Sequence, residues 1–372
     1  ELPTYDKLPM ALVRGRGAYV WDTEGRRYLD FYGGHCVSLL GHCPPAVVEA
    51  VQSQAETLLF YSNVAHSPVR AQAARRLATL APEGLGHVFF ANSGSEANET
   101  ALKLARTYTG RSGIAALKGG WHGRTLGSLA TTHDATDRAP YAEVLPDTTW
   151  LPVGDLETAE RVLSTKEYAA VLLEPIQSIA GMREVPPRYV QGLRTLCNRY
   201  GTLLAFDEVQ TGVGRTGTFS MSTSLGATPD LLSLAKSLGG GVPVSAVLVD
   251  DAVADTVETG DQGSTFGGGM LAMAAVEATL RTLVDDELMS RAEQIHARLV
   301  GPLVEAVRGR GCLIGLRCDR PVAPVVEALR SHNVLAGTSS DPHVLRLMPP
   351  LIVSDAHVDT FADALRAALD ES

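Results

Sequence analysis

Asp230-Leu-Leu-Ser-Leu-Ala-Lys236-Ser-Leu-Gly-Gly-Gly241 carries a lysine out of an apolar run and into three successive glycines. The run Leu231–Ala235 has the length and composition of a short buried strand. The glycines permit a sharp turn or a close approach of the backbone to another group. Two readings of Lys236 are open. It is a strand-end lysine whose ammonium reaches water, or a partly desolvated amine able to attack a carbonyl. Similar apolar runs recur at His87–Ala91, Ile114–Leu117, Tyr168–Leu173, Thr202–Phe206 and Val244–Val249. Helical periods alternate with them at Glu96–Tyr108, Leu156–Leu163 and Pro187–Tyr200. This alternation predicts an α/β fold, a mainly parallel central sheet flanked by helices. Ligands of such sheets sit beyond the carboxyl ends of the strands, so the strand-end residues are the ones to inspect.

Outward from this middle the texture changes. Residues 17–31 read as a hairpin, Ala18–Trp21 and Arg27–Asp30 around Asp22-Thr-Glu-Gly25. Helices are expected from Pro44 and over Pro68–Leu80. Beyond Gly269 the expectation is a long helix Met270–Leu283, a second helix Glu287–Val307, and an apolar segment Gly311–Leu316. A helix Val322–Ser331, a strand Val344–Leu347 and a terminal helix Ala356–Ala368 follow. The expected division is a large domain over 45–267 and a smaller α+β domain formed by 1–44 and 268–372. About two domains suit a chain of 372 residues.

Net charge is −10 with no basic run, which argues against nucleic acid as a partner. No apolar stretch approaches the ~20 residues that span a bilayer, so no membrane partner is expected. The five cysteines are odd in number and contain no Cys-x-x-Cys pair. That argues against a disulfide scaffold and a metal site, and a reducing cytoplasm is the expected setting.

Asp207 closes the apolar run Leu203-Leu-Ala-Phe206 and opens Glu208-Val-Gln-Thr-Gly-Val-Gly-Arg-Thr-Gly217. A carboxylate at a buried strand end needs a partner. That partner is a helix cap or loop cation, or the cationic ring nitrogen of a cofactor. A strand-end Asp and a strand-end Lys on neighbouring strands can converge on one small ring. Pyridoxal phosphate requires that arrangement, Lys as Schiff base and Asp on the pyridinium nitrogen. Its phosphate needs a cradle. Phe89-Phe-Ala-Asn-Ser93-Gly94-Ser95-Glu96 runs from a strand into a helix, whose N-terminus binds anions; a plain cap by Ser93 or Ser95 is the other reading. Gly263-Ser-Thr265-Phe-Gly-Gly268 is a second hydroxyl stretch or a linker. In Trp121-His122-Gly-Arg124-Thr125 the ring can stack on a cofactor and the arginine can clamp a carboxylate, or both are ordinary loop residues. Arg346, between Leu345 and Leu347, is an edge-strand charge or a second clamp.

These stretches resemble the motifs of class III pyridoxal-phosphate-dependent aminotransferases, and most of all the acetylornithine and ornithine aminotransferase group. The likeness includes Tyr28-Leu-Asp-Phe31, Leu40-Gly-His-Cys43 and Arg346-Leu-Met-Pro-Pro350. The resemblance implies fold type I of pyridoxal-phosphate enzymes and a ping-pong transfer of an amino group from an amino acid to a keto acid, 2-oxoglutarate. It implies that Lys236 forms the Schiff base and moves the proton, and that Asp207 holds the ring nitrogen. Val209 and Trp121 would cover the ring faces, with His122 and Glu174 beside the cofactor and Gln210 near the ring hydroxyl. Ser93, Gly94 and Ser95 would hold the phosphate. Thr265 would reach the phosphate of the other subunit, which implies a homodimer with shared active sites. Arg124 and Arg346 would bind substrate carboxylates. His35 sits where related enzymes carry varied substrate-contacting residues.

Two departures bear on substrate. Where the ornithine-type enzymes follow Glu-Pro-Ile-Gln with Gly-Glu-Gly or Gly-Glu-Ala, this chain has Ser178-Ile179-Ala180. The acid that pairs with the C-terminal arginine in that pattern is absent, which leaves Arg346 open to a carboxylate or to another partner. Gly268-Gly269-Met270 stands where the family reads Gly-Asn-Pro. Two other readings remain at this stage. One is an epimerase, aminomutase or decarboxylase of the same fold. The other is a nucleotide-binding α/β protein, although the chain lacks a Gly-x-x-x-x-Gly-Lys-Ser/Thr loop.

Overall fold

In this computed structural model, residues 1–299 and 306–372 are described. The strands run in chain order as β1 (Leu12–Arg16), β2 (Tyr19–Asp22), β3 (Arg27–Asp30), β4 (His87–Ala91), β5 (Gly113–Leu117), β6 (Thr148–Leu151) and β7 (Tyr168–Leu173). There follow β8 (Ile176–Gln177), β9 (Arg183–Glu184), β10 (Leu203–Asp207), β11 (Leu231–Leu234) and β12 (Ser245–Val249). The last are β13 (Ala306–Arg310), β14 (Leu313–Arg317), β15 (Val334–Leu335) and β16 (Val344–Leu347).

The central sheet has seven strands in the order β4-β12-β11-β10-β7-β5-β6. All pairings are parallel except those of β12, which runs antiparallel to β4 and β11. Successive side chains on a strand point to opposite faces, and the core divides accordingly. Ala170, Leu172, Ala205 and Leu231 pack with Ala97, Ala101 and Leu104 of the Gly94–Thr109 helix. Val171, Leu173, Leu204, Phe206 and Leu232 pack on the other face with Val190, Leu193 and Cys197 of the Pro187–Tyr200 helix. Both faces are dry, so these strands read as unbroken apolar runs. The same alternation aims Asp207 toward the Gly94–Thr109 helix and Glu208 away from it.

Two smaller sheets come from the chain ends. One is β1-β2-β3-β15, in which β15 pairs in parallel with β3 and ties the N-terminal hairpin to the C-terminal region. The other is β13-β14-β16, antiparallel throughout. One helical expectation is corrected. Among the described residues, the helix foreseen over Glu287–Val307 covers Leu288–Leu299, and Val307 lies in β13, paired with Leu316. Residues 300–305 of that span lie outside the described residues. No described helix is long and apolar enough to cross a membrane.

Candidate active site

β10 and β11 are parallel neighbours with Asp207 opposite Ser233, so Asp207 and Lys236 leave adjacent strand ends on the same edge of the sheet. They meet at a cavity of about 340 Å³, within the size range of small-molecule sites. Ser93, Gly94, Ser95, Trp121, His122, Glu174, Val209 and Gln210 also line it. These lining residues come from separate stretches of the chain.

Lys236 starts a short 3-10 turn after β11 and holds a φ of 43°, a left-handed value that non-glycine residues seldom take. Gly240 (φ 58°) and Gly241 (φ 113°) complete the turn with glycine's freedom. Burial lowers the Lys236 ammonium below its usual range; Cys36, Asp207 and Glu174 oppose the shift and Arg346 adds to it. A neutral amine is a nucleophile and a base.

Asp207 is buried and held on three sides. The Asn98 side-chain amide donates to Oδ2 at 2.8 Å, His122 Nδ1 pairs with Oδ2 at 2.8 Å, and the Val209 N–H donates to Oδ1 at 3.1 Å. Asn98 also donates to the His122 carbonyl at 2.8 Å, which locks the imidazole against the carboxylate. Glu174 accepts the Trp121 N–H at 2.7 Å. Burial, and then the nearby Asp207 charge, raise its carboxyl well above the ordinary range, against the pull of the Trp121 N–H and Lys236.

Opposite this wall is the N-terminus of the sixteen-residue Gly94–Thr109 helix. Ser93 caps it by accepting the Glu96 N–H, and Ser95 Oγ accepts the Arg124 N–H at 3.2 Å. Both sequence readings of Ser93 are therefore compatible. A Cβ on Gly94 would lie 2.9 Å from Val209 Cγ1, so a larger residue would push on that wall.

Arg346 sits on β16 at an edge of its sheet, yet its side chain is buried. It donates to the Thr338 carbonyl and to Ser178 Oγ (3.2 Å), and no carboxylate pairs with it among the described residues. His35 lies in a left-handed turn: residues 33–36 all have φ between 55° and 70°. Its Nδ1 pairs with the Tyr32 hydroxyl. Desolvation, then the charges of Arg346 and Lys236, lower its imidazole to about 4.

Arg346, His35, Arg124 and Thr265 do not line the cavity. Arg124 is exposed and paired with Asp137 at 3.0 Å, beside the Trp121 ring. Thr265 is exposed on the 263–268 loop, which Asn63 holds through the Ser264 and Gly267 carbonyls. The sequence reading missed Asn98, Cys36 and Val37. Asn98 had a signal, because it lies one helical turn from Ser95. Cys36 and Val37 reach the site only through the left-handed turn, which no local pattern announces.

The donor set fits pyridoxal phosphate. Gln210 Oε1 is a buried acceptor with no partner, suited to a ring hydroxyl. A carboxylate, a desolvated lysine and a helix N-terminus surround one cavity. The family profile described as Aminotransferase class-III matches residues 3–369. The acetylornithine aminotransferase of Methanopyrus kandleri is 46% identical, across 99% of this chain and 97% of that protein. The ornithine aminotransferase of Toxoplasma gondii has a similar structure, with a TM-score of 0.92 at 30% identity over 100% of this chain and 93% of that one. So does an amine transaminase from an uncultivated Pseudomonas species, solved with pyridoxal phosphate bound, with a TM-score of 0.90 at 28% identity over 100% and 96%.

Proposed function

This chain belongs to the class III aminotransferases, a pyridoxal-phosphate-dependent family, and on that premise we propose that its donor is an acetylornithine- or ornithine-like amino acid and its acceptor 2-oxoglutarate. Transamination proceeds in two half-reactions, so ping-pong kinetics follow. The observation that carries the site assignment is the meeting of Asp207 and Lys236, from the ends of neighbouring strands, at one cavity.

Bound pyridoxal phosphate supplies a carbonyl carbon for amines and a cationic ring that accepts the electron pair left when the carbon bearing the reacting amine loses its proton. Asp207 keeps that ring nitrogen protonated, and Asn98 and His122 keep the carboxylate aimed. Ser93, Gly94, Ser95 and the helix N-terminus hold the phosphate. Val209 and Trp121 would flank the ring, Gln210 would take its hydroxyl, and Glu174 would lie beside it. Lys236 Nζ takes the proton of the carbon that bears the reacting amine and returns it to the acceptor-derived carbon. Arg346 holds the donor's carboxylate by its guanidinium fork, with His35 next to it. Arg124 is a second carboxylate contact only if it leaves Asp137.

The reading includes a homodimer. Leu58, Leu59, Phe60, Tyr61 and Val64 form an exposed apolar run, and Phe60 packs against Phe266 of the Thr265 loop at 5.3 Å. A partner subunit would cover this patch and receive Thr265 at its phosphate site. Sedimentation should give twice the chain mass, and Thr265→Ala should weaken cofactor retention. The large domain is read as 45–267 and the small one as 1–44 with 268–372. The Met270–Asp285 helix packs on the Pro45–Thr57 and Pro68–Leu80 helices at that junction. A cytoplasmic setting rests on five cysteines, all of them free.

The test is donor specificity in a half-reaction. Holoenzyme given N-acetylornithine or ornithine alone should release one carbonyl product per site and stop until 2-oxoglutarate is added. Continuous turnover without an acceptor would favour an epimerase or decarboxylase. No product from either donor would remove them as substrates.

A further inference from the structure

Arg215 is the largest of the fully buried side chains and has no carboxylate partner among the described residues. Its Nη1 donates to the Pro349 carbonyl at 2.5 Å and to the Cys312 carbonyl at 3.3 Å. Its Nε and Nη2 are buried without partners. The Cys312 N–H returns to the Arg215 carbonyl at 2.8 Å. A buried guanidinium in this state costs stability relative to an apolar side chain of similar volume. Stability alone therefore does not account for an arginine here.

Its contacts join the two ends of the active site. Arg215 belongs to the turn that leaves β10. The Gly212 N–H bonds the Glu208 carbonyl at 2.9 Å, and the Arg215 N–H bonds the Gly212 carbonyl at 3.3 Å. The same turn carries Val209 and Gln210 into the cavity. On the other side, Pro349 lies just past β16, the strand of Arg346. Cys312 immediately precedes β14, in which Gly315 is the register partner of Arg346. Both carbonyls held by Arg215 therefore belong to the segments that place Arg346.

We propose that Arg215 is a positioning residue that fixes the spacing between the Asp207–Gln210 wall and Arg346, and so sets where a donor's carboxylate is held. This rests on the reading of Arg346 as the carboxylate holder.

The test compares Arg215→Met, Arg215→Lys and Arg346→Ala in holoenzyme, with the preferred carboxylate-bearing donor and its decarboxylated counterpart, alongside thermal unfolding. Arg215→Met should raise KM for the carboxylate donor about tenfold or more, as small misplacements do. Its kcat should change much less, and kcat/KM for the decarboxylated amine should stay within about twofold of wild type. The unfolding midpoint should stay within about 4 °C. Arg215→Lys should recover part of the KM, because an ammonium can still reach one of the two carbonyls. Equal losses with both donors, or no change in KM, would overturn the proposal. If Arg215→Met does not fold, the donor ratio in Arg215→Lys decides by the same criterion. Arg346→Ala separates the two levels. If it raises the carboxylate donor's KM while the Arg215 variants do not, the proposal fails and the reading of Arg346 stands. If it leaves KM unchanged, both fail.

Discussion

The two ends of the proposed site are built by different means. At the ring end, Asp207 sits on a central strand, is 4% exposed, and is bonded by Asn98, His122 and the Val209 N–H. At the carboxylate end, which Arg124 leaves open to solvent, Arg346 is as buried as Asp207 but sits on an edge strand and bonds one carbonyl and one hydroxyl. Chemistry shared by many donors belongs at the closed end, where geometry is over-determined. Donor choice belongs at the open end, where a short stretch such as Ser178-Ile179-Ala180 can change a partner without disturbing the sheet.

The largest effects are therefore expected at the ring end. Lys236→Ala should keep the fold by circular dichroism and lower kcat by about 10⁴-fold or more, since one group serves as nucleophile and proton carrier. A variant with near wild-type turnover would move the chemistry away from the closed end altogether. Asp207→Asn should lower kcat by about 10²–10³-fold, the range for losing one preorganised electrostatic contact. Its KM for a carboxylate donor should change far less. If KM moved instead of kcat, the two ends would not be separable in function.

The same division decided what could be read from the sequence. Strands buried on both faces announced themselves as apolar runs, so β5, β7, β10, β11 and β12 were legible within a residue or two, and the edge strand β4 was legible through Val88–Ala91. β6 was not, because Thr148-Thr-Trp-Leu151 is a half-polar edge strand with no apolar run. The over-long helix at Glu287 passed through Gly301-Pro302, a breaker pair that argues for a stop. Asp207 and Lys236 could be singled out because each ends a strand. Arg124 could not be placed, because a loop arginine carries no record of which carboxylate it meets. The bonding of Asn98 to Asp207 and the crossing of Arg215 to Pro349 join residues far apart in the chain, and no local period encodes them.

Glu208 sharpens the comparison from the far face of β10. It is fully buried and accepts from Ser220 Oγ, Thr211 Oγ and the Met221 N–H, yet burial raises its carboxyl to about 7. The folded protein then keeps a proton that the unfolded chain releases near pH 4.5. Stability from this group therefore falls as pH rises from about 4.5 to about 7 and is level above that, by about 3 kcal/mol in all. Glu174, also raised, contributes with the same sign. Unfolding free energies measured at intervals from pH 5 to 7.5 should show a steeper decline in wild type than in Glu208→Gln, and the difference isolates Glu208. Identical slopes would mean that the three donors hold it ionised throughout.

The smallest effect is expected at Arg124. Its side chain is 62% exposed, and that of its partner Asp137 is 25% exposed. Exposed pairs of this kind contribute about 0–1 kcal/mol. Arg124→Ala should therefore shift the unfolding free energy by less than about 1 kcal/mol. If the resting geometry persists in the loaded enzyme, KM for a carboxylate donor should move less than about twofold. If instead Arg124 swings from Asp137 to the donor, KM should rise severalfold with stability unchanged, because a charge-assisted bond to substrate is worth more than the exposed pair it replaces. A large KM effect at Arg124 and a small one at Arg346 would reverse the assignment of the open end, leaving the closed end as it stands.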